Sequence, residues 1–353
     1  MSNPADALVI GPGPQSALAA RRWRVRMRFA AIWIAVVGLI VFCAIVAPRS
    51  LLPSTFLAII PLAAFLAITA IGETLVLMAR GIDLSIPAVI TLSSTIVLGF
   101  SGGHDEALLA AVCGALAFAA LIGLINGILI AVFELNALIV TLAVGAITTG
   151  ATLWYRVSLP QEARVPPEMA AWGDARFLGI NFAVWVVAAL AITLDIVLRK
   201  TTIGRHFSAV GANPRAAWIA GINVAAYQTA AFVVAAFLYG VAGLLISAII
   251  RNPTLKVGEP YLLAPIAAAV LGGTAMSGGI GSMVAVAGAA LFLTQLGQVL
   301  QMLGLSSALQ FVIEGVAIAL GMALSGINFS PLMRLLTGWR SGPATGASSS
   351  PSE

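Results

Sequence analysis

Charge is what this sequence has least of. Only 9% of its 353 residues are Asp, Glu, Lys or Arg, against about a quarter in an ordinary soluble domain. That excludes a water-soluble globular protein. Aromatic residues are also scarce, at 7%. The chain is 60% hydrophobic, more apolar surface than a solvated chain can expose, which excludes disorder over most of its length. The two cysteines, Cys43 and Cys113, lie inside apolar runs. They read as small buried hydrophobes rather than a disulfide or metal pair. With two histidines beside them, no structural zinc site is expected. The lysines are Lys200 and Lys256, and neither completes a G-x-x-x-x-G-K-[ST] phosphate loop, so ATP hydrolysis by that route is excluded. Neither H-E-x-x-H nor C-x-x-C occurs. No catalytic residue, metal ligand or cofactor site is expected, and any uphill movement must draw its energy from a partner or an ion gradient.

What is present is Ala, Leu, Ile, Val and Gly in long unbroken runs. Small residues let membrane helices approach closely, whereas a membrane β-barrel would read as alternating ten-residue segments. Ten candidate spans follow, at roughly 29–47, 55–79, 86–101, 107–133, 137–155, 181–198, 223–250, 261–276, 282–303 and 306–326. The third and eighth are short enough to be broken or re-entrant. The expectation is an all-α polytopic membrane bundle of about ten helices over 29–326. A disordered basic tail (1–28) precedes it and a Ser-, Gly- and Pro-rich tail (327–353) follows. Arg21, Arg22, Arg24, Arg26 and Arg28 before the first run resemble a signal-peptide start, but the run is too long for one.

The formal charge of +5 gathers at the ends of apolar runs, which fits orientation in a bilayer and not nucleic-acid binding. With the N-terminus in the cytoplasm, 12 of the 18 basic residues fall inside and 6 outside. The reverse topology would invert that bias, so both termini are expected in the cytoplasm.

Three constellations carry chemistry. In the first, Glu73 to Ser85, an acid lies within an apolar run. That costs about 2.5 kcal/mol or more unless it is paired or faces water. Gly72, Gly81 and Pro87 loosen the helix there. Two readings stand: a turn whose Glu73, Asp83 and Ser85 line a solute path, or a tight turn with Asp83 capping the next helix and Glu73 paired to Arg80. Asn126, Asn136 and Thr141 are further polar positions near span ends, and Glu314 is another acid within a span. The second constellation, Leu271-Gly-Gly-Thr-Ala-Met-Ser-Gly-Gly-Ile-Gly281, reads as a sharp turn between membrane segments. The third is the cytoplasmic segment 199–222. Asn213 suits an N-cap, Pro214 a first helical position and Gly221 a C-terminal cap. This describes a short helix presenting Ala216, Ala217 and Ala220 around Trp218, either a docking element or a plain connector. His104-Asp105-Glu106 reads as a solvated turn.

Three stretches resemble the permease subunit of bacterial sugar ABC importers of the ribose type. They are Gly81-Ile-Asp-Leu-Ser85, the Gly204–Ile222 loop with Gly204, Arg205, Gly211, Asn213, Ala216, Ala217 and Gly221, and Leu271–Gly281. Asn126-Gly127 and Phe133–Thr141 add to the likeness, which spans most of 50–326. Many relatives have Gly-Gly-Ile-Asp where this chain has Arg80-Gly81-Ile82-Asp83. The resemblance implies a bacterial inner-membrane permease, homodimeric or paired with a paralogue. It implies two cytoplasmic ATPases that bind the ATP and grip the 199–222 coupling loop, and a periplasmic binding protein that delivers a ribose-, xylose- or polyol-like sugar. Related permeases carry branched-chain amino acids or nucleosides. An ion-coupled carrier relaying protons through Glu73, Asp83 or Glu314 is the alternative from another class. The contaminant-free chain alone is expected to turn over no ATP in a phosphate-release assay; sustained turnover would contradict the absence of a nucleotide site.

Overall fold

A computed structural model of the chain describes residues 14–160 and 163–306 and eight positions between 308 and 319. The expected tenth span, Glu314, and the tails at 1–13 and 327–353 lie mostly or wholly outside the described residues. Twelve α-helices are described: α1 (Pro14–Val46), α2 (Pro53–Met78), α3 (Ile86–Ser101), α4 (Leu108–Ala131), α5 (Ala137–Val157), α6 (Pro167–Asp174), α7 (Phe182–Lys200), α8 (Thr202–Ala212), α9 (Pro214–Ile219), α10 (Val224–Ile250), α11 (Ala264–Leu271) and α12 (Met283–Met302). Among the described residues seven segments are long and apolar enough to cross a membrane, and α3 and α11 are shorter apolar helices. Every one of the nine expected spans before residue 306 therefore has a helix, with the third and eighth short as read from sequence.

Two expectations need correction. The tail was placed at 1–28, yet α1 begins at Pro14, so the arginine cluster continues the first helix. Cys43 is buried but Cys113 is exposed on α4; an apolar face toward lipid accommodates a thiol as readily as a core does. The bundle also carries one two-residue antiparallel pair, Arg176–Phe177 with Ile180–Asn181, in the long loop before α7.

The buried centre is α2 and α10. Phe65, Ile68, Ile71, Phe232, Leu238 and Tyr239 have at most 2% of their surface exposed. Around them pack α3, α4, α11 and α12. Lipid tails are as apolar as leucine, so hydrophobicity alone does not hold these helices together; close van der Waals approach does. Glycines set that approach where α4 crosses α10. A Cβ at Gly127 would stand 2.7 Å from Thr229 Cα, and one at Gly123 would overlap the Phe232 carbonyl oxygen. By contrast α1, α4, α5 and α7 turn large apolar side chains outward, among them Ile34, Leu109, Ile147 and Ile192.

Gly127→Leu is therefore expected to lower the stability of the solubilised chain by about 1–3 kcal/mol. Gly114→Leu and Gly150→Leu, where a Cβ would meet nothing within 4 Å, should change it little. Melting curves in one detergent check the order; equal midpoints for all three would contradict the packing account.

Candidate functional site

The α2 helix ends at Met78 and α3 starts at Ile86; the Ala79 and Arg80 N–H groups still close on Leu75 O and Leu77 O, and residues 81–85 between them run without helical structure. Non-helical backbone at membrane depth survives only where protein or a water-filled cavity satisfies it. Here the N–H groups of Gly81, Asp83, Leu84 and Ser85 each find a partner. The Gly81 N–H donates to Val76 O at 2.9 Å, closing the end of α2. The Asp83 N–H reaches both Glu73 carboxylate oxygens, at 3.3 and 3.4 Å. The Leu84 N–H donates to Thr141 Oγ1 at 3.1 Å. The Ser85 N–H donates to Asp83 Oδ1 at 2.8 Å, and the Ser85 hydroxyl donates to the same oxygen at 2.5 Å. Asn126 Nδ2 then donates to Ser85 Oγ at 3.0 Å, bringing in α4.

The five residues read from sequence as a solute path, Glu73, Asp83, Ser85, Asn126 and Thr141, thus form one cluster drawn from four elements. Each is fully buried, so the cluster is closed. Glu73 is not paired to Arg80, as the tight-turn reading had it. Its Oε2 accepts instead from the Tyr239 hydroxyl at 3.2 Å, and Arg80 turns the other way. Nor does Asp83 cap α3: Ser85 holds the N-cap position, and Asp83 closes a turn ahead of it. Tyr239 went unnoticed in the sequence. The available signal was a tyrosine inside an apolar span, because a buried phenol needs a partner, but its partner lies 166 positions away.

The second constellation is a turn, as expected. Between α11 and α12, Gly273, Gly278 and Gly279 take φ of +87°, +90° and +79°, values open to glycine and strained for other residues. Gly279 N donates to Met78 O at 2.9 Å, fastening this turn to the end of α2. Gly99–Gly103 has the G-x-S-x-G spacing of a nucleophile elbow. Ser101, however, ends α3 and donates to Val97 O at 2.6 Å, a helix-closing role. In the His104–Glu106 turn, Asp105 Oδ1 accepts from the Glu168 N–H at 2.8 Å.

The third constellation holds two helices where one was expected. Thr201 caps α8, its Oγ1 accepting from Gly204 N at 3.2 Å, and Gly204 sits so close to the end of α7 that a Cβ would overlap the Leu198 carbonyl. Arg205 Nη2 donates to Thr202 Oγ1 at 3.0 Å. Gly211 is buried, its missing Cβ occupied by the Met78 carbonyl oxygen. Asn213 caps α9 through Ala216 N at 3.1 Å. Gly221 follows with φ +81°, as a helix-ending glycine does. Ala217 is buried, whereas Ala216 and Ala220 are exposed. Trp218 and Ile219 are 71% and 74% exposed. The capped helix α9 thus points Trp218 and Ile219 outward while Ala217 faces in.

A family described as "Branched-chain amino acid transport system / permease component" matches residues 55–327. The chain belongs to this family. The ribose import permease protein of Escherichia coli strain K12 is 33% identical over 259 residues, 72% of this chain and 80% of that protein. That of Bacillus subtilis strain 168 is 33% identical over 287 residues, 81% and 89%. The fructose import permease protein of Rhizobium meliloti is 30% identical over 300 residues, 82% of each. No solved structure matches. The family match takes in all three constellations, and the permease is a multi-pass membrane protein.

If Asp83 holds the turn as an acceptor, Asp83→Asn keeps Oδ1 for both Ser85 bonds, while Asp83→Ala loses it and strands a buried N–H. The alanine variant is expected to be the less stable of the two by about 1–3 kcal/mol. Melting midpoints of the purified permease test this, and an alanine variant as stable as the asparagine one would show the carboxylate to be incidental to the turn.

Proposed function

We propose that the chain is the membrane-spanning subunit of an ATP-binding cassette importer, forming the translocation path for a simple sugar of the ribose, xylose or polyol kind. The observation that carries this reading is α9. Its outward Trp218 and Ile219 form an apolar anchor pair joined through α8 to the buried turn at 79–85. An ion-coupled carrier would not require such a docking element. The named relatives import ribose and fructose, which supports a sugar as the solute. The family's description favours a second solute class, branched-chain amino acids, and nucleosides remain in the same range of small polar solutes.

In this reading α9 lies in the cytoplasm and seats in a groove of an ATPase subunit that binds the ATP. The end of the bundle carrying α8 and α9 also carries Arg80, Arg199, Lys200, Arg205 and Arg215, which agrees with a cytoplasmic face. The opposite end receives solute from a periplasmic binding protein. A second copy of the permease, or a paralogue, completes the path within the bacterial inner membrane, and the polar cluster at the turn serves as its closed gate. The chain itself carries out no chemistry.

Replacing Trp218 and Ile219 together with alanine is expected to weaken ATPase retention at least tenfold, the scale of a buried aromatic anchor, without lowering the amount of permease in the membrane. Gly221→Val adds strain of about 1–2 kcal/mol at a positive φ and should act in the same direction. Co-purification of the ATPase with each variant is the test. Undiminished retention in both would show 199–222 to be a passive connector.

A further inference from the structure

Arg80 takes φ +68°, a left-handed conformation in which a bulky residue persists only when its surroundings over-determine it. The structure shows what holds it. Its Nε donates to the Gly211 carbonyl oxygen at 2.7 Å and its Nη2 to that of Ala212 at 2.6 Å. Those carbonyls end α8, where helical acceptors lack partners and the helix dipole is negative, so a guanidinium is the fitting cap. Ala212 directly precedes Asn213, the N-cap of α9. Arg80 therefore grips the chain one residue short of the docking helix.

The other side of Arg80 leads into the buried cluster. Three residues on, Asp83 binds Glu73 and Ser85, Ser85 binds Asn126 of α4, and Leu84 binds Thr141 of α5. The root of the turn is rigid as well. Gln228 Nε2 of α10 donates to Ala79 O at 3.3 Å, Gly279 N donates to Met78 O, and Gly211 lies against both Met78 and Gly279. A displacement at α9 thus meets a continuous run of short polar contacts ending on α4 and α5.

We propose that Arg80 is a positioning residue that transmits movement of α9 to the 81–85 turn, so that ATPase closure opens the Asp83 cluster to solute. The role rests on the importer reading above and deepens it. It differs from simple stabilisation because the guanidinium joins two segments 131 and 132 positions apart. A fork of donors holds the paired carbonyls in direction as well as distance, which lysine cannot reproduce.

The test uses the full-length permease assembled with its ATPase in vesicles and supplied with the binding protein, with solute uptake and ATP hydrolysis measured on the same samples. Arg80→Gln, Arg80→Lys and Arg80→Gly are compared with the unaltered chain; glycine suits φ +68°, so the last variant separates lost contacts from backbone strain. The ATPase should remain bound in all three variants. Solute moved per ATP should fall about tenfold in the Gln and Gly variants, the usual scale of a coupling contribution, with Lys between. Unchanged solute per ATP in Gln and Gly would overturn the proposal. So would loss of the ATPase from those variants, which would make Arg80 a brace of the docking surface. If the unaltered permease itself retains no ATPase, the importer reading falls first, and that failure is read before any variant is compared.

Discussion

A helix broken inside a membrane bundle frees backbone groups that protein or a water-filled cavity has to satisfy. Between α2 and α3 the chain breaks in that way, and three successive N–H groups, those of Asp83, Leu84 and Ser85, are taken up by side chains: Glu73, Thr141 and Asp83. Two fully buried carboxylates follow from this requirement. A carboxylate offers several acceptor sites in a small volume: Glu73 uses both oxygens, for the Asp83 N–H and the Tyr239 hydroxyl, whereas Asp83 takes both Ser85 bonds on Oδ1 alone. Among the described residues neither Glu73 nor Asp83 forms an ion pair. Both are held instead by N–H and O–H donors, which makes the turn sensitive to small shifts of the elements supplying them.

Those elements are the ones that carry the rest of the fold. Tyr239 comes from α10, which packs directly on α2, and reaches Glu73 because Gly72 leaves room: a Cβ there would stand 2.6 Å from the Tyr239 ring. Asn126 comes from α4, whose Gly123 and Gly127 let it lie directly on α10. The small-residue packing that builds the bundle thus also delivers the polar side chains to the break. The ion pairs are peripheral by comparison. Arg251–Asp174 and Lys256–Glu259 are largely exposed, and pairs of that kind contribute little; Arg199–Asp195 is a single i,i+4 pair at the end of α7.

Much of this was legible from residues alone. Long apolar runs gave nine spans their places. Asn213, Pro214 and Gly221 marked the ends of α9 through capping chemistry that depends only on local backbone, and the five polar residues of the cluster stood out because a polar group in an apolar run needs a reason. What stayed hidden were partnerships across the chain. Tyr239 meets Glu73 through the angle at which α10 crosses α2, and no local pattern encodes that. Arg80 read as a partner for Glu73 seven residues earlier, yet the helix ends between them and the side chain swings to α8 instead. The start of α1 was missed for a different reason: a basic, proline-containing stretch reads as a tail, and propensity alone does not reveal that the first span's helix runs back through it.

The central claim is that this permease is driven by an ATPase seated on α9 and carries no energy source of its own. Solute uptake into vesicles containing the permease, its ATPase and its binding protein, measured with and without ATP and with ionophores that collapse proton and sodium gradients, tests it most directly. Uptake that requires ATP and the ATPase and survives the ionophores is the predicted result. Uptake by the permease alone that vanishes with the gradients would contradict the claim and make Glu73 and Asp83 an ion relay.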